Sequence, residues 1–222
     1  MKLSPQTVVP SALLTAILAL LTATFPGTAT AATVWTGGTE TNTTVAYGGG
    51  ITWGVDFTSN TAQSINALGF WDSGANGLGT GVSYTVGLWE SNSQALLASV
   101  TISDADALDP TLVVEGGQWR YETCPTVSLT SGRTYTMGFY AASNMSSADS
   151  LFLTFSSLTT DSTVSKVNRY RGLSGSTLTF PSNITDISVA QVNAKFVPEP
   201  GSAGLVILGS LMLLGRRRKT KD

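Results

Sequence analysis

The sequence predicts an all-β protein, an antiparallel β-sandwich resembling a jelly roll, and three observations predict it. Apolar residues recur with a period of two in several short runs, as in Val82, Tyr84, Val86 and Leu88. Clusters rich in Gly, Asn and Ser separate the runs. No stretch between Thr33 and Val197 sustains the 3.6-residue period of an amphipathic helix. Short, half-buried strands joined by tight turns are the arrangement that satisfies all three.

Taken in order, the chain begins with Lys2 ahead of the apolar run Ala12 to Leu21, followed by small residues in an A-x-A arrangement at Thr28-Ala29-Thr30-Ala31-Ala32. This is the pattern of a secretory signal, so residues 1–31 are expected to be a leader that the Sec machinery handles and that is cut after Ala31. Residues 33–50 are rich in Thr and Gly and are expected to be an edge strand with a mobile lead-in. Alternation then marks strands at Trp53-Val55-Phe57, Val82 to Leu88, Tyr135-Met137-Phe139 and Ala190-Val192-Ala194-Phe196. Turns are expected at Asp72 to Gly81, Ser91 to Gln94, Thr130 to Gly132 and Ser174 to Ser176, where Gly, Asn and Ser accept the backbone conformations a reversal needs.

The span 32–196 is one domain's length, enough for a single core. It carries six basic and twelve acidic residues, a net charge of −6 that the basic C-terminus hides in the whole-chain value of −2. Such a surface repels phosphate backbones, which excludes nucleic acid as a partner of this span. The single cysteine, Cys124, allows no intramolecular disulfide and is expected to be a small buried residue. The chain has no histidine, which excludes Ser-His-Asp and Cys-His catalysis and His-ligated zinc. Gly77-Leu78-Gly79-Thr80-Gly81 lacks the strand-to-helix setting of a phosphate cradle, and no cofactor is expected.

Three groups of residues are candidate sites. Trp71, Asp72 and Asn76, with Trp89 or Trp119-Arg120-Tyr121, would make a platform for extracellular polysaccharide if the rings face solvent, and core plugs if they do not. Asp104, Asp106 and Asp109 are hard oxygen ligands close enough in sequence to be a Ca²⁺ candidate, without the glycine and closing glutamate of an EF-hand; a solvated loop is the simpler reading. A glycoside-cleaving pair of Asp/Glu residues is the third, but no pair is marked by its context and no catalytic residue stands out.

The chain ends in Val197-Pro198-Glu199-Pro200, an apolar stretch from Gly201 to Gly215, and Arg216-Arg217-Arg218-Lys219-Thr220-Lys221-Asp222. As a helix, the apolar stretch would cover roughly 22 Å of a hydrocarbon core of about 30 Å, so its insertion is shallow, with the basic end held on the cytoplasmic side. The prolines stop the preceding strand and leave an extended segment. This tail resembles the PEP-CTERM sorting signal of bacteria that make extracellular polysaccharide. The resemblance implies that exosortase, a membrane enzyme, recognises and removes residues 197–222 after transient membrane insertion.

A second resemblance covers Gly54 to about Ala142, carried by Gly54-Val55-Asp56-Phe57, Phe70-Trp71 followed by Asn76-Gly77, Gly87-Leu88-Trp89, Leu96-Leu97-Ala98 and Gly117-Gln118-Trp119. It is similar to a domain family of unknown function in exported bacterial proteins, except that Asp72 stands where that family usually has a basic residue. It implies a β-sandwich and an exported location. The chain is therefore expected to be a non-catalytic protein of the cell surface or extracellular matrix, with glycan adhesion as the role the aromatic platform would give it. The alternative is a polysaccharide-active hydrolase.

Overall fold

The computed structural model describes residues 31–40, 50–114, 116–142, 152–185 and 189–198. The expected leader up to residue 30 and the tail from Glu199 onward, with Pro200, Arg216, Arg217 and Arg218, lie outside them. Ala31–Val197 forms one compact unit.

Among the described residues the regular structure is β, apart from one 3₁₀ turn at Phe155–Ser157. The strands are β1 Trp35–Gly37, β2 Ile51–Ser59, β3 Gln63–Ser73, β4 Ser83–Glu90, β5 Ala95–Ser103, β6 Leu108–Val114, β7 Gly117–Leu129, β8 Thr134–Ala141, β9 Leu153–Thr154, β10 Leu158–Thr160, β11 Val164–Ser174, β12 Asn183–Thr185, β13 Val189–Ala190 and β14 Val192–Phe196. Six of them form an antiparallel sheet in the order β12-β11-β2-β8-β4-β5, and four form a second in the order β14-β3-β7-β6. The pairs β1-β10 and β9-β13 make two small ribbons.

Alternation places the core. Val55 and Phe57 of β2, Tyr84, Val86 and Leu88 of β4, and Tyr135, Met137 and Phe139 of β8 project from one face of the six-stranded sheet toward Ile65, Leu68 and Phe70 of β3 and Val192, Ala194 and Phe196 of β14. Contacts between the sheets are direct: Phe70 stacks on Tyr84 at 4.1 Å and meets Phe139 edge-on at 5.2 Å. Antiparallel sheets enclosing one apolar layer are consistent with the predicted sandwich.

Part of the other face of the six-stranded sheet, across β2, β8 and β4, is also covered, which the sequence did not announce. Gly54, Gly138 and Gly87 lie side by side on β2, β8 and β4. With no side chains there, this row is a shallow trough. Residues 175–182, between β11 and β12, run across it: Gly175 N–H donates to the Gly50 carbonyl at 2.7 Å and Thr179 N–H to Thr52 Oγ1 at 3.3 Å. A Cβ at Gly54 would stand 3.0 Å from Pro181, and one at Gly87 would stand 3.0 Å from Leu178. The glycines thus admit the crossing segment, and Phe180 closes over Trp89 with ring centres 6.2 Å apart.

The expected edge strand within 33–50 is the short β1, preceded by Ala32 to Val34 against β14: Phe196 N–H donates to the Ala32 carbonyl at 2.8 Å and Val34 N–H to the Ala194 carbonyl at 2.9 Å. Cys124 sits well inside β7 and is half-buried, a correction to the expected full burial; burial pushes its thiol pKa up.

Candidate functional site

The aromatic platform is not on the surface. Trp71 of β3 and Trp119 of β7 face each other in register, both 0% exposed, with their rings edge-to-face at 5.3 Å. Trp71 Nε1 donates to Glu40 Oε1 at 2.9 Å, which locks the indole beneath the N-terminal segment. Trp89 is 2% exposed under Phe180. A sugar ring stacks only on an accessible aromatic face, so these three tryptophans are core plugs and the platform reading is corrected. Asn76 is exposed in the turn after β3, but Asp72 is sealed below it.

Asp72 has a different task. Its Oδ2 accepts from Arg120 Nε at 2.8 Å and from the Gly77 N–H at 3.2 Å. Arg120, 7% exposed, also donates through Nη1 to the carbonyls of Asp104 at 3.1 Å and Asp106 at 2.5 Å. One buried ion pair therefore pins the loop after β3 to the loop after β5. Such a pair holds geometry more than it adds stability, because desolvation offsets most of the Coulomb gain.

The three loop aspartates do not converge. Asp104 Oδ1 accepts from the Leu78 N–H; Asp106 Oδ2 accepts from the Ser103 N–H at 2.6 Å; Asp109 pairs with Lys195 Nζ at 2.6 Å. Each carboxylate closes a different local contact, and no group of three or more acidic, His or Cys side chains among the described residues is placed to hold a metal ion. This corrects the Ca²⁺ candidate.

The sequence reading missed the most connected polar cluster. Asp56, 0% exposed on the outer face of β2, accepts from Arg171 Nε at 2.7 Å and Nη2 at 2.9 Å, the bidentate geometry of strong carboxylate recognition. Thr136 Oγ1 donates to Asp56 Oδ1 at 2.7 Å, Ser91 and Thr136 share a hydroxyl contact of 2.8 Å, and Arg169 approaches Asp56 at 3.4 Å. A register shift in β11 between Val167 and Tyr170 brings both arginines to this one carboxylate. Arg171 is closed over by the Phe180 ring, 4.9 Å from its guanidinium carbon. The only available sequence signal was an acid at an outward position of a strand otherwise carrying Gly and Thr there.

A general acid would need a carboxyl pKa pushed upward. Glu90, whose pKa does move, is lowered by hydrogen bonds from Ser93. The buried carboxylates Asp56, Asp72 and Asp109 each face a cation. A cavity lined by Trp53, Val55, Phe139, Phe152, Tyr170 and Gln191 has a volume of about 10 Å³, room for about one water and for no sugar.

At the C-terminal end, β14 stops at Phe196, Val197 N–H makes a last bond to the Ser64 carbonyl at 2.8 Å, and Pro198 is exposed. The ladder ends where the Pro-Glu-Pro segment begins. No family model and no curated protein matches this chain, so function rests on its own residues.

Proposed function

We propose that this chain is an exported, non-catalytic component of the cell surface or polysaccharide matrix, delivered by a cleaved leader and sorted through its C-terminal tail by exosortase. The carrying observation is the tail itself: Val197-Pro198-Glu199-Pro200, an apolar stretch, then Arg216-Arg217-Arg218, beginning where the last strand lets go. The short apolar helix, its transient insertion and the jelly-roll refinement of the sandwich belong to the same proposal. The body supports a structural role through its charge-paired buried carboxylates and its sealed tryptophans. Within this proposal, adhesion to glycan uses exposed polar surface in place of the buried tryptophan faces. The test is the intact mass of the extracellular form. A species beginning after Ala31 and lacking the basic end is expected, and one retaining Arg216 to Asp222 overturns removal of the tail.

A further inference from the structure

We propose that β5 is a self-association edge, at which two copies of this chain pair β5 with β5, antiparallel about a two-fold axis, and join their six-stranded sheets into one.

Among the described strands, β5 is an uncharged, proline-free edge, whereas the other outer strands are short, covered, charged or carry proline: where β11 runs past β12 it holds Lys166 and Arg169, and where β7 runs past β6 it holds Glu122 and Pro125. The far edge of the same sheet is β12, three residues long. In the four-stranded sheet, β6 carries Pro110, and the free side of β14 is bonded by Ala32 to Val34. By contrast β5 runs nine residues, Ala-Leu-Leu-Ala-Ser-Val-Thr-Ile-Ser, with neither charge nor proline. Leu96 is 50% exposed and Leu97 37%, with Ser99 and Thr101 also open to solvent. A long, uncharged edge is a template for strand addition. A register shift opposite Leu88 and Trp89 kinks its start, which leaves Ala98–Ser103 as the regular ladder.

Charge selects the occupant. The domain is net negative, so two copies approach most closely through the stretch that bears none of that charge. Direction follows from the strand's ends. Its start lies by the Arg133–Glu90 pair, and its end runs into Asp104 and Asp106. A parallel arrangement would set these aspartates against their own copies, whereas the two-fold antiparallel one sets them beside the neutral pair. That is the isologous contact of a closed dimer. A ladder of this length buries less than the roughly 1,200 Å² typical of stable interfaces, so the dimer is weak and forms where the protein is concentrated.

The test uses the secreted protein with Cys124→Ala, carrying Ser99→Cys or Thr101→Cys. An axis through either residue brings that cysteine within disulfide reach of its copy, and an axis between them links the two variants when mixed. Mild oxidation is expected to give a discrete dimer in one of these three samples, while Ser165→Cys on β11 gives none. Thr101→Lys, or Ser99→Lys if the first alters the melting temperature, is expected to weaken self-association at least tenfold in sedimentation. Absence of cross-linking in all three samples overturns the proposal. So does a monomer at every concentration, or an open-ended series in which β5 links to β12.

Discussion

Replacing Asp56 with alanine leaves Arg171 buried at 7% exposure with no carboxylate to face. Arg169, whose side chain is 44% exposed, can turn to water, but Arg171 lies under Phe180 and cannot without lifting the crossing segment. An uncompensated buried charge of this kind costs about 3–5 kcal/mol. For a domain whose total stability is about 5–15 kcal/mol, that is a large share, and at about 2–4 °C per kcal/mol the melting temperature falls by roughly 10 °C. Urea unfolding of Asp56→Ala should show a lower midpoint at unchanged slope. The double variant Asp56→Leu with Arg171→Met should recover most of the loss, because it removes both charges together. If Asp56→Ala stays within about 1 kcal/mol of the parent, or the double variant is no better than the single, then the cluster does not hold the outer face as described.

Three further variants probe other parts of the body. Tyr121 has a pKa raised well above its ordinary value, first by burial and then by the Asp109 charge. The stability it contributes is therefore whole below the unfolded tyrosine value of about 10 and is lost as pH rises through the higher folded value, so Tyr121→Phe should flatten the alkaline limb of a stability–pH curve. Its buried hydroxyl has no hydrogen-bond partner among the described residues, so the same variant should gain about 1 kcal/mol at neutral pH, measured by urea midpoint. Gly138→Ala pushes a Cβ into the Trp53 backbone carbonyl, and a loss of about 1–3 kcal/mol is expected in thermal unfolding; a neutral result would mean the glycine row is not needed for close approach. Trp71→Ala should cost about 3–5 kcal/mol as a core truncation. Loss of polysaccharide retention at unchanged stability would restore that tryptophan to the surface.

Strand positions were legible because alternation is local: the runs at Trp53, Tyr135 and Ala190 fall within β2, β8 and β13-β14, and the run from Val82 starts one residue ahead of β4. The turn at Ser91 to Gln94 is the β4-β5 reversal, with Gln94 at φ +58°. What the sequence could not show is pairing at a distance. Asp56 meets Arg171 across 115 positions, and Asp72 meets Arg120 across 48. Three glycines aligned on neighbouring strands leave no pattern in a one-dimensional reading, so the turn expected at Ser174 to Ser176 gave no sign of the cover that continues to residue 182. The tryptophans failed as a platform for a related reason. Trp71 and Trp89 sit on outward positions of their strands, where alternation predicts solvent, and Glu40 and Phe180, remote in sequence, shut them in.

Ala32 and Phe196 are hydrogen-bonded to each other, so both ends of the body depart from one corner. Tension applied between those ends would not travel through the hydrophobic interior. It would peel the two terminal segments apart bond by bond, like a zip, and leave the bulk slack until they had separated. A body wired in this way is suited to be a pendant on a line, not a link within it.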